Sequence, residues 1–200
     1  ALISVDDHAE NSIVVASGAN MLLNEQDVDK VVEEMCEGDI LLMQLEIPIQ
    51  TVEYAARRAF EKGVKVVLNP APARSLPKEL LRHLFMITPN RIEAEMLTGI
   101  KIVNDADAER VAKEISAMGV QNIIVTLGSK GCLVREGDTS YCVDAFKVEP
   151  VDTTAAGDTF NGALCVGLAE GMNLRQAAVM ASKASSVAVT RMGAQSSIPH

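Results

Sequence analysis

The sequence has no tryptophan, only two tyrosines and four phenylalanines, and a net charge of −9. A nucleic-acid surface draws affinity from a basic stripe facing phosphates and, on single strands, from aromatic stacking platforms. With neither present, no nucleic-acid partner is expected; a small molecule is. No apolar run reaches the ~18 residues that a membrane-spanning helix needs, and the first residues lack the basic region and apolar core of a secretory signal. The expectation is a cytoplasmic protein with no membrane partner. Cysteine is sparse: Cys36, Cys132, Cys142 and Cys165 show no CxxC spacing. Only His8, His83 and His200 could join them, which argues against a zinc site. Reduced core thiols are expected, although Cys132 and Cys142 stand where they would face each other across a hairpin. Two nucleotide signatures are also missing, GxxxxGK[ST] and GxGxxG, so a P-loop NTPase or a dinucleotide enzyme would need a different loop. An NAD-dependent α/β enzyme is therefore the weakest reading kept.

What is present is ordinary globular material: 200 residues, 48% hydrophobic and 22% charged, enough for a sizeable core. The chain opens on Ala1–Val5, a strand already under way without an initiator methionine, as expected of a piece of a longer protein. A second run, Ser12–Ala16, follows the acidic turn Asp6–Asn11, which is a hairpin signal. From Asn24 the pattern becomes helix then short apolar strand: helix Asp27–Cys36 and strand Ile40–Leu45, then helix Thr51–Lys62 and strand Val64–Leu68. A short helix at Lys78–Arg82 precedes the strand Leu84–Thr88. Helices at Ile92–Leu97 and Ala106–Met118 precede the strand Asn122–Thr126. Such alternation implies an α/β fold, a mostly parallel sheet flanked by helices on both faces. The rhythm then breaks into two strands expected to be antiparallel, Cys132–Arg135 and Tyr141–Val148, joined at Glu136-Gly137-Asp138. Two helices finish the chain. The first buries Phe160, Ala163, Leu164, Gly167 and Leu168 at helical spacing, and the second, Leu174–Thr190, lines up Ala177, Ala181, Ala184 and Ala188.

Ligands in open α/β sheets sit beyond the carboxyl ends of the strands. The residues found there are Glu46, Asn69, Asn90, Gly128-Ser129-Lys130-Gly131 and the stretch from Asp152 to Asp158. Ala155-Ala156-Gly157-Asp158 places small side chains at a helix N-terminus, where exposed N–H groups and the helix dipole favour an anion. Asp158 alone is equally well explained as a favourable first-turn charge. Asn90 and Glu93 form a capping-box pattern, Thr126–Gly131 reads equally as a tight turn, and Glu46 before Pro48 as an exposed turn. Gly157, Gly162 and Gly167, five apart, suit helix packing better than a pyrophosphate turn.

Taken together, several motifs resemble the ribokinase-like (PfkB) sugar kinases. They are Asp152-Thr153-Thr154-Ala155-Ala156-Gly157-Asp158-Thr159-Phe160, Gln44-Leu45-Glu46, Asn69-Pro70-Ala71-Pro72-Ala73, Thr88-Pro89-Asn90-x-x-Glu93, Leu97-Thr98-Gly99, Thr126–Gly131 and Val189–Ser197. They run in family order across nearly all of the chain, and match the ribose branch better than the fructose or nucleoside branches.

The resemblance implies residues 1–17 as part of a β lid and 18–200 as an incomplete nucleotide-binding and catalytic core, lacking the family's N-terminal part. It implies ATP-dependent transfer of the γ-phosphate to a pentose hydroxyl, ribose first, with deoxyribose or fructose as alternatives. Asp158 would be the base beside the sugar, Ala156 and Gly157 the anion hole, and Glu46 a sugar neighbour. Asn90, Thr126, Leu127, Gly128, Ser129, Lys130, Gly131, Gly157 and Ser182 would meet the nucleotide. Glu93 would act on Mg²⁺ through water. Asp152, Thr154, Ala188, Arg191, Gly193 and Ser197 would hold K⁺, with Ala188, Arg191 and Gly193 offering backbone carbonyls only. Ala155 replaces a glycine frequent in relatives, which a negative φ would accommodate. A homodimer through the lid is expected of the full-length protein. The competing reading from another class is an inactive nucleotide-binding or scaffold fragment.

Overall fold

The computed structural model describes residues 2–5 and 11–199. The expected turn at 6–11 falls largely outside them, as do His8 and His200. In chain order the elements are β1 (Leu2–Val5), β2 (Asn11–Val14), a 3₁₀ turn (Gly18–Leu22), α1 (Glu25–Glu34), β3 (Ile40–Met43), α2 (Ile49–Glu61), β4 (Lys65–Leu68) and α3 (Lys78–Arg82). Next come β5 (Met86–Ile87), α4 (Arg91–Thr98), α5 (Asp105–Ala117), β6 (Asn122–Thr126), β7 (Cys132–Glu136), β8 (Thr139–Val143), α6 (Ala156–Ala169) and α7 (Leu174–Ala188). Local chemistry sets most helix starts. Asn24, Asn90, Asn104 and Asn173 each accept a first-turn N–H, while the third helical side chain reaches back to the asparagine's own N–H. Such a box satisfies two donors that a helix start leaves unpaired and contributes about 1 kcal/mol. Helices α2 and α3 begin instead after Pro48 and Pro77, with no side-chain cap.

The chain divides into two compact bodies. The larger, residues 17–128 and 132–142, carries a sheet in the order β3-β4-β5-β6-β7-β8. Strands β3 to β6 are parallel and β7 returns antiparallel to β6. Helices α1 to α5 share a core with one sheet face, where Val66, Leu68, Ile87, Ile123, Val125 and Leu133 meet Val32, Val52, Ala56, Leu80, Val111 and Ile115. Val67, Met86, Ile124 and Val134, which alternate with those strand residues, are also fully buried. That explains why β4 and β6 read as unbroken apolar runs. Each full burial of a Val, Leu or Ile side chain is worth ~1.5–3 kcal/mol.

The smaller body comprises residues 1–16, 129–131 and 143–200. Its β1–β2 hairpin is antiparallel, and α6 packs along α7. Gly167 sits where an added Cβ would come within 3.2 Å of the Ala177 Cβ, so the close approach needs glycine there. Gly157 and Gly162 meet nothing within 4 Å, and only the last of the three evenly spaced glycines serves packing. Strand β8 stops at Val143 rather than Val148: Phe146 and Val148 are both 42% exposed, so their alternation with Lys147 and Glu149 marks no buried face. The thiols also depart from a uniform core assignment. Cys132 is buried, but Cys36 and Cys142 are exposed and Cys165 is half-buried, because Cys36 lies just past the end of α1 and Cys142 is the outward neighbour of buried Val143 on β8. Burial pushes the Cys165 thiol up to about 11.

Helix α6 begins in a different way from the rest. Its N-cap residue, Ala155, is left-handed at φ 59°, ψ 12° and supplies no side-chain cap; among the described residues it is the one non-glycine with positive φ. The condition under which an alanine would be unstrained here, a negative φ, is therefore not met. The turn from Thr154 into the helix demands a left-handed residue, and the Cβ is carried at a cost of ~1–2 kcal/mol. Replacing Ala155 by glycine removes that strain and adds back ~0.4–1 kcal/mol of unfolded-chain entropy. The expected outcome is a melting temperature higher by about 1–3 °C in scanning calorimetry; a lower one would contradict the strain assignment.

Candidate active site

Because β3 to β6 all point one way, the residues just beyond them share one sheet edge. After β3, Leu45 donates its N–H to the Ala71 carbonyl at 2.8 Å, and Glu46 stands exposed. After β4, buried Asn69 donates its N–H to the Met43 carbonyl (2.9 Å) and its Nδ2 to the Thr88 carbonyl (3.2 Å). After β5, Asn90 pairs in parallel with Thr126 of β6, whose N–H reaches the Pro89 carbonyl at 2.9 Å. Glu46, Asn69, Asn90 and Thr126 are thus brought to one edge of the larger body, as strand order required.

Glu93 is both a cap and a buried carboxylate. Its Oε2 accepts the Asn90 N–H and its Oε1 the Asn90 Nδ2, each at 2.8 Å, while Asn90 Oδ1 accepts the Glu93 N–H at 2.9 Å. Burial raises the Glu93 carboxyl above its ordinary range, and the Asn90 N–H partly opposes the rise. A nearby cation would offset that desolvation, so the residue suits influence on Mg²⁺ through water. Among the described residues no cluster of three or more His, Cys, Asp or Glu side chains could hold a metal.

Thr126 and Leu127 are half-buried, and Gly128, Ser129 and Lys130 form an exposed 3₁₀ turn. Gly131 closes it at φ 88°, where any Cβ would collide with the Val143 carbonyl. The turn is consequently fixed in shape while its tip stays open.

The smaller body gathers another set. Asp152 is buried; its Oδ1 accepts the Thr154 N–H and its Oδ2 the Gly193 N–H, each at 2.9 Å. The Thr154 hydroxyl and these two N–H groups hold its carboxyl below the usual range. The Val151 and Asp152 N–H groups both reach the Val189 carbonyl, at 2.8 and 3.2 Å. Ala188 accepts the Arg191 N–H at 3.0 Å, and fully buried Ser197 donates its hydroxyl to the Ala194 carbonyl at 2.7 Å. Asp152 and Thr154 are therefore tied to the 188–197 segment. A donor set of one carboxylate, hydroxyls and carbonyls is all oxygen with a single charge, which suits a hard monovalent cation. Arg191 directs an exposed side chain away from burial, and Ser182 is buried on α7.

At the mouth of α6, Asp158 and Gly157 are exposed. The Ala156 N–H is engaged by the Thr153 carbonyl at 3.2 Å, and the first i→i−4 bond is Thr159 N–H to Ala155 at 2.9 Å. Among the described residues no backbone carbonyl accepts the Gly157 N–H, which lies between them. Two residues at this mouth were not singled out from the sequence: Ser185 donates to the Ala156 carbonyl and Asn161 to the Gly157 carbonyl, each at 2.9 Å. Asn161 could have been found from its i+4 spacing to Gly157; Ser185 lies on another helix and could not. Thr159 is buried with its hydroxyl unpartnered.

The pfkB family carbohydrate kinase pattern matches residues 1–200. A ribokinase from Haemophilus influenzae is 45% identical over 199 residues, covering all of this chain and 65% of that protein. The crystal structure of Thermotoga maritima ribokinase superposes with a TM-score of 0.85 at 39% identity, over 98% of this chain and 65% of that one. The structure of Arabidopsis thaliana ribokinase complexed with ribose and ATP gives a TM-score of 0.86 at 29% identity, over 98% of this chain and 64% of that one. The chain thus spans about two thirds of the length of these proteins, and across that span its α/β fold, with a mostly parallel sheet flanked by helices, is that of the two structures. The chain belongs to the pfkB family of carbohydrate kinases.

Proposed function

We propose that the full-length protein is a cytoplasmic, ATP-dependent pentose kinase whose first substrate is ribose. The observation that carries the proposal is the mouth of α6, where an exposed carboxylate and an N–H without a backbone acceptor share one turn. Asp158 takes the proton of the attacking sugar hydroxyl, whose oxygen forms a bond to the γ-phosphorus as the bond to the β,γ-bridging oxygen breaks and ADP leaves. A positioned base contributes roughly 10²- to 10⁴-fold. The Gly157 N–H, with the dipole of α6 behind it, stabilises charge on the phosphoryl oxygens, a contribution that rises as the transition state forms. Mg²⁺, when bound, neutralises charge on the ATP phosphates. The residues assigned to the nucleotide are Asn90 and Thr126–Gly128 in the larger body and Ser129–Gly131 and Ser182 in the smaller, with Glu46 assigned to the sugar and Glu93 to the ion through water. Ala156 contributes through its peptide with Gly157, since its own N–H is engaged. The full-length protein is a homodimer paired through the residue 1–17 hairpin, a reading supported by exposed Leu2, Ile3 and Val14 on its strands. Light scattering should give twice the monomer mass.

Sugar-dependent ADP release across a panel of ribose, deoxyribose and fructose tests the activity. Ribose should give the highest kcat/KM. Stabilisation by ATP-Mg²⁺ with no turnover on any sugar would instead favour an inactive nucleotide-binding protein. Asp158→Asn is expected to lower kcat by about 10²- to 10⁴-fold while the ATP-induced rise in melting temperature persists. Near-normal turnover in that variant would remove Asp158 from the role of base.

Asp152, Thr154, Ser197 and the carbonyls of Ala188, Arg191 and Gly193 would hold K⁺, which would supply a positive charge between the 188–197 segment and the start of α6. Replacing K⁺ by tetramethylammonium should lower kcat several-fold, and Asp152→Asn should abolish the difference between the two salts. Because the folded-state pKa of Asp152 is lowered, its carboxylate adds stability above the unfolded value near 3.8. That contribution disappears as the pH falls through the folded value. Acid unfolding followed by circular dichroism should therefore lose its steepest limb below about pH 4 in Asp152→Asn, a pH set by the ordinary carboxylate range.

A further inference from the structure

A peptide group is planar, so a hydrogen bond to its oxygen fixes the direction of the N–H on its far side. Hydrogen bonds in series also polarise one another, and the polarised N–H is the better donor. Two such bonds meet at the mouth of α6. Ser185 Oγ donates to the Ala156 carbonyl at 2.9 Å, and the far end of that peptide is the Gly157 N–H. Asn161 Nδ2 donates to the Gly157 carbonyl at 2.9 Å, and the far end of that peptide is the N–H of Asp158. Packing does not hold Gly157 itself. Gly157 is exposed, a Cβ placed on it would meet nothing within 4 Å, and the residue before Ala156 is in a strained left-handed state.

Ser185 also behaves unlike its neighbour. A serine inside a helix ordinarily returns its hydroxyl to a carbonyl one turn back. Ser186 does so, donating to the Lys183 carbonyl at 2.7 Å. Ser185 reaches across to α6 instead, from a half-buried position.

We propose that Ser185 is a positioning residue for phosphoryl transfer, aiming and polarising the Gly157 N–H through the Ala156 carbonyl, with Asn161 doing the same one peptide further along. The assignment rests on the kinase reading of the α6 mouth. Since charge on the transferred group grows chiefly in the transition state, the effect falls on kcat rather than on ground-state binding.

The test uses the full-length protein and two readouts. Ser185→Ala should lower kcat by about tenfold, a fraction of what deleting a direct donor costs, with KM for ATP and for ribose within about twofold of wild type. Ser185→Thr, which restores a hydroxyl, should recover most of the loss; Ser185→Cys, which keeps the shape and weakens the donor, should lie between. In ¹H–¹⁵N spectra without substrate, the Gly157 amide proton should move upfield in Ser185→Ala and return in Ser185→Thr. Wild-type kcat in Ser185→Ala, or an unmoved Gly157 resonance, would overturn the proposal. Should the wild type turn over no sugar while the resonance moves as expected, the kinase reading fails and the clamp on the Gly157 peptide stands.

Discussion

One buried carboxylate governs how the smaller body is put together. Asp152 sits where the chain leaves the exposed 144–151 stretch for α6, and both of its oxygens accept N–H groups, one local and one 41 residues further on. The Val189 carbonyl takes the N–H groups of Val151 and of Asp152 itself. Between them these bonds fasten the beginning of α6 to the end of α7. At the opposite end of the pair, the missing side chain at Gly167 lets the helices meet against Ala177. Fixed at both ends, the helices leave little freedom to the short connection between Asp152 and α6, in which Ala155 is left-handed. An aspartate removed from water is costly unless every oxygen is satisfied; here the hydrogen bonds are good enough to favour ionisation rather than suppress it.

The larger body obeys a simpler logic. Parallel strands deliver the residues after them to one edge, and side-chain amides knit that edge from strand to strand. Asn69 links the ends of β3, β4 and β5 through its backbone and side-chain donors, and Asn90 carries the pattern on to β6. Glu93 is placed by the same asparagine that begins α4. Its position is a by-product of helix capping, and so one short motif both starts α4 and carries a buried carboxylate to the sheet edge.

Much of this was legible in the sequence because it depends on near neighbours. The strand Asn122–Thr126 and the helix Lys78–Arg82 come from apolar runs and their breakers, and the Asn90–Glu93 box from a three-residue spacing. The row of strand-end residues comes from the parallel rule alone. Other features were not legible. The left-handed Ala155 lies in a turn whose flanking Asp152 is bonded to residues near position 190, which no local pattern contains. The strand-like alternation at Phe146–Val148 lacks a buried face to make it a strand. Cysteines at 36 and 142 are exposed because a turn and an outward strand position happen to carry them. Ser185 could be read from sequence only as one small residue on a small-residue helix face; its role depends on the helix it packs against.

Four helices of this chain close their own N-termini with an asparagine, and two begin after a proline. Helix α6 begins from an alanine whose methyl group can accept nothing, so its N-cap does not supply the bond that the four asparagines supply. An anion at that end would do for α6 what Asn24, Asn90, Asn104 and Asn173 do for theirs. The bound group then acts as a removable cap, and its arrival and departure would tighten and loosen the first turn of the helix. Helix order and occupancy become one equilibrium, in which part of the binding free energy goes into finishing the fold.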